Sequence, residues 1–212
     1  MRIILVGVVF IFFIASSFAH PVIYEGGKVI SSQNMISYSD NQVLYSMTSK
    51  WAGGLNLWRF TKGDKNTEIG LARLNRLLWR YNGEGSQANV YLLSGFGVVD
   101  SEIEKKATRE VYMGGVEMDW ETRTLYTALK HYYFSSPAVT DISMTQARVG
   151  FSPFESGFDN LQSWFIVQAM VMNKVQPNVI ITPMLRFFYK NVLWEIGSST
   201  RAEWMLNLMV HY

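Results

Sequence analysis

Apolar and polar residues alternate with a period of two along most of this chain. In residues 111–120, VYMGGVEMDW, Tyr112, Val116, Met118 and Trp120 share one side with Gly114, while Glu117 and Asp119 share the other with Met113 and Gly115. In 191–197, Val192, Trp194 and Ile196 oppose Glu195, and in 161–171 Phe165, Val167, Ala169 and Val171 oppose Gln162 and Gln168. Successive side chains point to opposite faces of a strand, so this spacing predicts β-structure. Twelve strands are expected, over 28–38, 41–49, 52–61, 67–81, 88–98, 108–120, 124–134, 142–152, 161–173, 178–188, 191–198 and 203–212, with ten as the alternative count. Turn residues separate them, among them Ser39-Asp40, Lys62-Gly63-Asp64, Asn82 to Ser86, Pro137, Pro153 to Asp159, Pro177-Asn178 and Ser198-Ser199.

Two segments resist the pattern. In 67–81, Arg73 and Asn75 fall on one face and Arg76 and Arg80 on the other, which implies a bulge, an overhang beyond a membrane boundary or a misplaced strand. Pro183 lies within 178–188, although proline cannot donate to a ladder.

Alternation alone does not say whether the apolar side faces a core or lipid. The chain carries few of the charges and prolines that blunt exposed strand edges, which favours a closed wall without edges. The expected fold is therefore all-β, a closed antiparallel transmembrane β-barrel. Counting from one end, the connections near Lys50, Asn82, Glu121, Ser156 and Lys190 lie on the inner side. The charged stretches 99–108 and TKGDKN lie on the other, so short inner turns and longer outer loops are expected, with 152–160 an exception.

The start of the chain gives this reading a location. MRIILVGVVFIFFIASSFAH has a basic Arg2, an apolar run from Ile3 to Ala15, and Ser17 and Ala19 at the spacing of a cleavage site. Residues 1–19 read as an export signal and 20–212 as a single domain. The apolar run is shorter than the roughly 20 residues of a membrane-spanning helix, and no later stretch supplies one. Composition agrees with sheet and with membrane-interface belts, because aromatic residues make up 15% of the chain and only 5 residues are proline. The absence of cysteine excludes disulfides, thiolate metal sites and cysteine nucleophiles. A net charge of +2 gives no reason to expect a nucleic-acid partner.

The final residues, RAEWMLNLMVHY, place Trp204, Leu206, Leu208, Val210 and Tyr212 on one face and Met205, Asn207, Met209 and His211 on the other. This stretch resembles the closing strand of bacterial outer-membrane barrels, which ends on an aromatic residue and is read by the barrel-assembly machinery. Met205 and Asn207 stand where that pattern usually has a polar residue and a glycine. HPVIYEGG, EGSQANVYLLSGFG and EMDWETR look like stretches of an uncharacterised proteobacterial envelope family, some of it associated with metal-efflux genes. The resemblance implies a bacterial outer-membrane location with lipid and the assembly machinery as partners. It assigns no residue a role, and the oligomeric state is left open.

Candidate chemistry is sparse. Glu117, Asp119, Arg148, Arg186 and Glu195 are expected to face the lumen, where they would either line a polar conduit or pair and fill it, the second being favoured at this size. A passive or weakly selective channel, or an envelope structural protein, is the leading function. His20 would become the first residue after cleavage, offering an imidazole and an α-amine to copper, so a copper-handling envelope protein is one alternative; otherwise no cofactor is expected. A lipid-modifying enzyme is another, built on His131 with Ser135, Ser136 or a cross-strand serine as nucleophile. Phosphate-binding glycine loops, HExxH and paired-carboxylate motifs are not apparent, so the sequence leans away from an enzyme.

Overall fold

The computed structural model describes residues 20–102, 106–137, 141–157 and 159–212. The leader read over 1–19 and part of the 99–108 connection lie outside them. Twelve strands form one sheet: β1 Lys28–Asn34, β2 Tyr38–Ser46, β3 Trp51–Lys62, β4 Lys65–Gly83, β5 Ser86–Ser101, β6 Lys106–Thr122, β7 Leu125–Ser135, β8 Ile142–Phe151, β9 Gln162–Met172, β10 Gln176–Tyr189, β11 Val192–Ser198 and β12 Trp204–His211. Each pairs antiparallel with its neighbours in sequence, and β12 returns to β1, so the sheet closes into a barrel of twelve strands rather than ten. An even count brings both ends of the wall to one rim. There the amide of Lys28 donates to the carbonyl of Tyr212 at 3.0 Å, and the amide of Tyr212 donates to that of Lys28 at 2.9 Å.

The period-two pattern is expressed as an apolar outside and a mixed, packed inside. Leu55, Leu57, Val98, Val149, Phe165 and Leu208 all point outward and are exposed. In water such a band would be a contiguous apolar patch far larger than soluble proteins carry; against lipid it is the favourable surface. Aromatic side chains gather toward the rim that bears the chain ends, where Trp79 stacks on Tyr81, Phe151 on Phe165 and Phe187 on Trp194. Rings of this kind suit the boundary between hydrocarbon and water.

The two irregular segments have local causes. The β4–β5 ladder shifts register between Leu77 and Trp79, a bulge that reverses the parity of the strand. Arg73 and Arg80, of opposite parity in sequence, consequently both face inward, while Arg76 lies outside against the ring of Trp51 at 5.0 Å. Pro183 sits one step beyond the last β10–β11 pair, Met184 with Gly197, so its missing donor falls where that ladder has already ended.

The expected loop asymmetry is corrected. β5 continues to Ser101 and β6 resumes at Lys106, so most of 99–108 is strand, and TKGDKN narrows to a tight turn at Gly63 and Asp64. The longest connection between described strands is 152–161, on the rim of the chain ends. The first turn lies at Met35–Ser37, closed by the Met35 amide donating to the Tyr38 carbonyl, rather than at Ser39-Asp40. Ser39 and Asp40 are buried, because Asp40 is needed inside as an acceptor.

Candidate functional site

The inward faces of the strands converge on a lumen filled by side chains at three levels. At the end away from the chain termini, Trp58 lies beneath Phe60, Tyr132 and Phe134 with ring centroids 5.2 to 5.6 Å apart, and Trp58 and Phe60 are 2% and 0% exposed. Edge-to-face and offset contacts of this kind add to the apolar burial of the rings. Just below, Asn56 on β3 joins four groups. Its amide donates to Asp40 at 2.6 Å and to the Asn41 carbonyl at 3.0 Å, and its oxygen accepts from Trp58 and from Arg73, the latter at 2.7 Å.

The middle level is ionic. Glu195 accepts from Arg186 at 2.6 Å, from Arg148 at 3.2 Å and from the amide of Asn207. Arg148 also donates to Gln168 at 2.8 Å, and Gln168 accepts from Gln146 at the same distance. Lys130 pairs with Glu117 at 2.9 Å, and the Arg186 guanidinium lies 4.3 Å from the centre of the Tyr126 ring. Removing charges from water is tolerated here because each finds an opposite charge and further hydrogen bonds.

At the rim of the chain ends the lumen is entered by the segment before β1. His20, Pro21 and Val22 are buried, and Ile23 packs with Val29 and Leu44. The Ile23 amide donates to the Ser46 hydroxyl at 3.0 Å, and the Gly26 amide to the Ser46 carbonyl at 2.8 Å, tying the segment to β2. His20 lies between two carboxylates, with Nδ1 3.4 Å from Asp119 and Nε2 3.4 Å from Glu121, and its ring is 5.9 Å from that of Tyr91. Burial pushes the imidazole toward its neutral form, but the facing carboxylates of Asp119 and Glu121 outweigh it and raise its pKa to about 9. Asn89 donates to the other oxygen of Asp119 at 2.7 Å, and Arg80 donates to Asn89 at 2.6 Å.

The residues singled out in sequence are therefore distributed over two levels. Arg148, Arg186 and Glu195 meet in one cluster, Glu117 pairs with Lys130, and Asp119 lies with His20. Asp40, Asn56, Arg73, Lys130 and Glu121 belong to the same interior and were not singled out. Glu121 is in phase with Glu117 and Asp119, a signal masked by reading it as a turn. Inside the wall Lys130 pairs with Glu117, Arg148 and Arg186 share Glu195, Asp119 and Glu121 face His20, and Arg73 and Arg80 donate to asparagine side chains.

His131 lies on the outward face, its Nδ1 2.8 Å from the Thr145 hydroxyl. Ser136 instead donates to the Glu110 carbonyl at 2.8 Å. Among the described residues no serine hydroxyl stands beside His131, so nothing supports the lipid-modifying reading. Met170, Met172 and Met205 are buried as packing.

No family model matches the chain, and no curated protein does either. Among solved structures it is similar to the KdgM porin in complex with disordered oligogalacturonate, at 10% identity over 88% of this chain and 98% of that one, with a TM-score of 0.48. A second KdgM porin structure gives 11% identity over the same shares with a TM-score of 0.45. A loop-deletion form of the Vibrio cholerae outer membrane protein OmpT gives 8% identity over 88% and 97%, with a TM-score of 0.33. The closed ladder and the lipid-facing band make this chain a twelve-stranded transmembrane barrel of the bacterial outer-membrane type.

Proposed function

We propose that the protein is exported by residues 1–19, inserted in a bacterial outer membrane by machinery that reads Trp204 to Tyr212, and serves there as a narrow, weakly selective channel held closed in the state described. The observation that carries this reading is the column of buried ionisable groups inside the wall. A barrel needed only as a stave could fill its interior with apolar side chains at no desolvation cost, whereas ionisable groups along the axis suit the passage of ions or small polar solutes. The segment 20–27 is the element best placed to move, because it belongs to no strand and is held at the rim by few hydrogen bonds.

Planar-bilayer recording tests this. The full exported chain should show small conductance steps separated by long closed intervals, and a chain beginning at Gly27 should be open about tenfold more of the time. Silence from both forms would overturn the channel and leave a structural barrel. That second reading draws on the dense packing of Trp58, Phe60 and Phe134 across the far end.

A further inference from the structure

We infer that His20, Asp119 and Glu121 form a binding site for a divalent first-row metal ion, Zn²⁺ or Cu²⁺, which would lock the N-terminal segment into the barrel. One ligand atom from each of these residues lies within 4.8 Å of the others, and all three residues are buried. Each imidazole–carboxylate separation is 3.4 Å. Two donors at about 2.1 Å from a tetrahedral ion stand about 3.4 Å apart, so either contact already has the span of a ligand pair. An ion takes only one ring nitrogen, so the second carboxylate must draw in by up to about 1.4 Å, a rotamer adjustment open to a Glu side chain.

An independent feature points to a ligand. Asp119 Oδ2 and Glu121 Oε1 are buried and accept no hydrogen bond from the described residues, although buried carboxylate oxygens ordinarily do. Each faces a ring nitrogen of His20 at 3.4 Å. Asn89 holds the remaining oxygen of Asp119, which fixes that carboxylate as an outer partner fixes a metal ligand. The other titratable groups in reach are Arg186, which acts on Glu121, and His211, which is buried at the same end within the electrostatic range of His20. One imidazole and two carboxylates form a borderline-to-hard donor set, suited to Zn²⁺ or Cu²⁺ and poorly suited to Cu⁺. Cleavage after Ala19, as proposed above, would add the α-amine of His20 as a further donor.

The full exported chain, purified in detergent and stripped with a chelator, would be loaded with Zn²⁺ or Cu²⁺ alone, desalted and assayed for bound metal by mass spectrometry. One equivalent is expected. His20→Ala, Asp119→Asn and Glu121→Gln should each weaken binding by about a hundredfold, while His131→Ala leaves it unchanged. Retention of less than a tenth of an equivalent, or binding indifferent to His20→Ala, would overturn the site. Should a variant lose its heat-shifted mobility in SDS and so its fold, X-ray absorption of the loaded wild-type protein decides. A nitrogen and oxygen shell with one imidazole supports the site, and sulfur neighbours or a shell without imidazole reject it. None of these readouts depends on conductance.

Discussion

Arg186 and Glu195 stand directly opposite each other across the β10–β11 ladder, and the guanidinium Nε donates to the carboxylate at 2.6 Å inside the wall. The same carboxylate also holds Arg148 and Asn207 from other strands, so one residue ties together β8, β10, β11 and β12. Removing one partner of a buried ion pair leaves the others charged without compensation. Glu195→Ala should cost about 3–5 kcal/mol. The measurement is the urea midpoint of the detergent-folded barrel, and a change under a tenth of that size would show the cluster to be hydrated.

Asn56 occupies the corresponding position one level away. Leucine there has a similar volume but leaves Asp40, Arg73 and the Trp58 indole without the partner each now has. Each stranded polar group costs about 1–3 kcal/mol. Asn56→Leu should therefore destabilise more than a typical core exchange, and Trp58 fluorescence should broaden and shift as its packing loosens.

The His20 contact gives stability a pH dependence in metal-free protein. Its pKa is raised on folding from 6.5 to about 9, so the stabilisation is fully present below 6.5 and is lost as pH rises through 9. Asp119 and Glu121 supply the attraction, with Tyr91, Arg186 and His211 the other polar groups nearby. With a chelator present, the difference in stability between the natural chain and His20→Ala should be largest near pH 6 and shrink by pH 10. A difference that grows with pH would contradict the ion-pair account.

Gly54, like Gly97, lies where neighbouring strands approach too closely for a side chain. A Cβ built at Gly54 would stand 1.9 Å from the carbonyl oxygen of Val43, which is backbone and cannot swing aside. Gly54→Val should force β2 and β3 apart and cost about 1–3 kcal/mol or more, with a reduced folded fraction on unboiled gels. Gly114, where a Cβ meets nothing within 4 Å, is the control and should tolerate alanine.

Tyr212 makes two backbone hydrogen bonds to Lys28 at the seam, beyond the last paired residue of β12. Deleting it removes both, together with the terminal aromatic. Pulse-chase labelling should show slower appearance of the heat-resistant form in cells, more so than replacement of an exposed rim aromatic by Tyr45→Ala.

Much of this architecture is legible in the sequence because lipid imposes a strict rule on one side of every strand. The alternation around Glu117, Glu195 and Gln168 locates strands and faces together, since a slip of one residue would expose every charge to hydrocarbon. Legibility fails where that rule relaxes. The bulge between Leu77 and Trp79 reverses the parity of β4 without any proline or glycine to announce it, so Arg80 looks misplaced until its contact with Asn89 is seen. The inside is harder still to read. Interior positions accept apolar, amide and charged residues alike, and partners such as Glu195 and Arg148 lie 47 positions apart in sequence. Period two tells which way His20, Asp119 or Asn56 would face in a strand, but not that His20, which precedes the first strand, folds back between two carboxylates of β6.

Pairs such as Lys130 with Glu117 and Arg186 with Glu195 also bear on how the molecule responds to voltage. An electric field across the membrane does work on charge displaced along it, about 2.3 kcal/mol per elementary charge per 100 mV. Paired groups that shift together carry no net charge through that field. Drawing His20 out of the lumen would instead carry an imidazolium through part of that field, so opening by the leading segment is expected to depend on voltage.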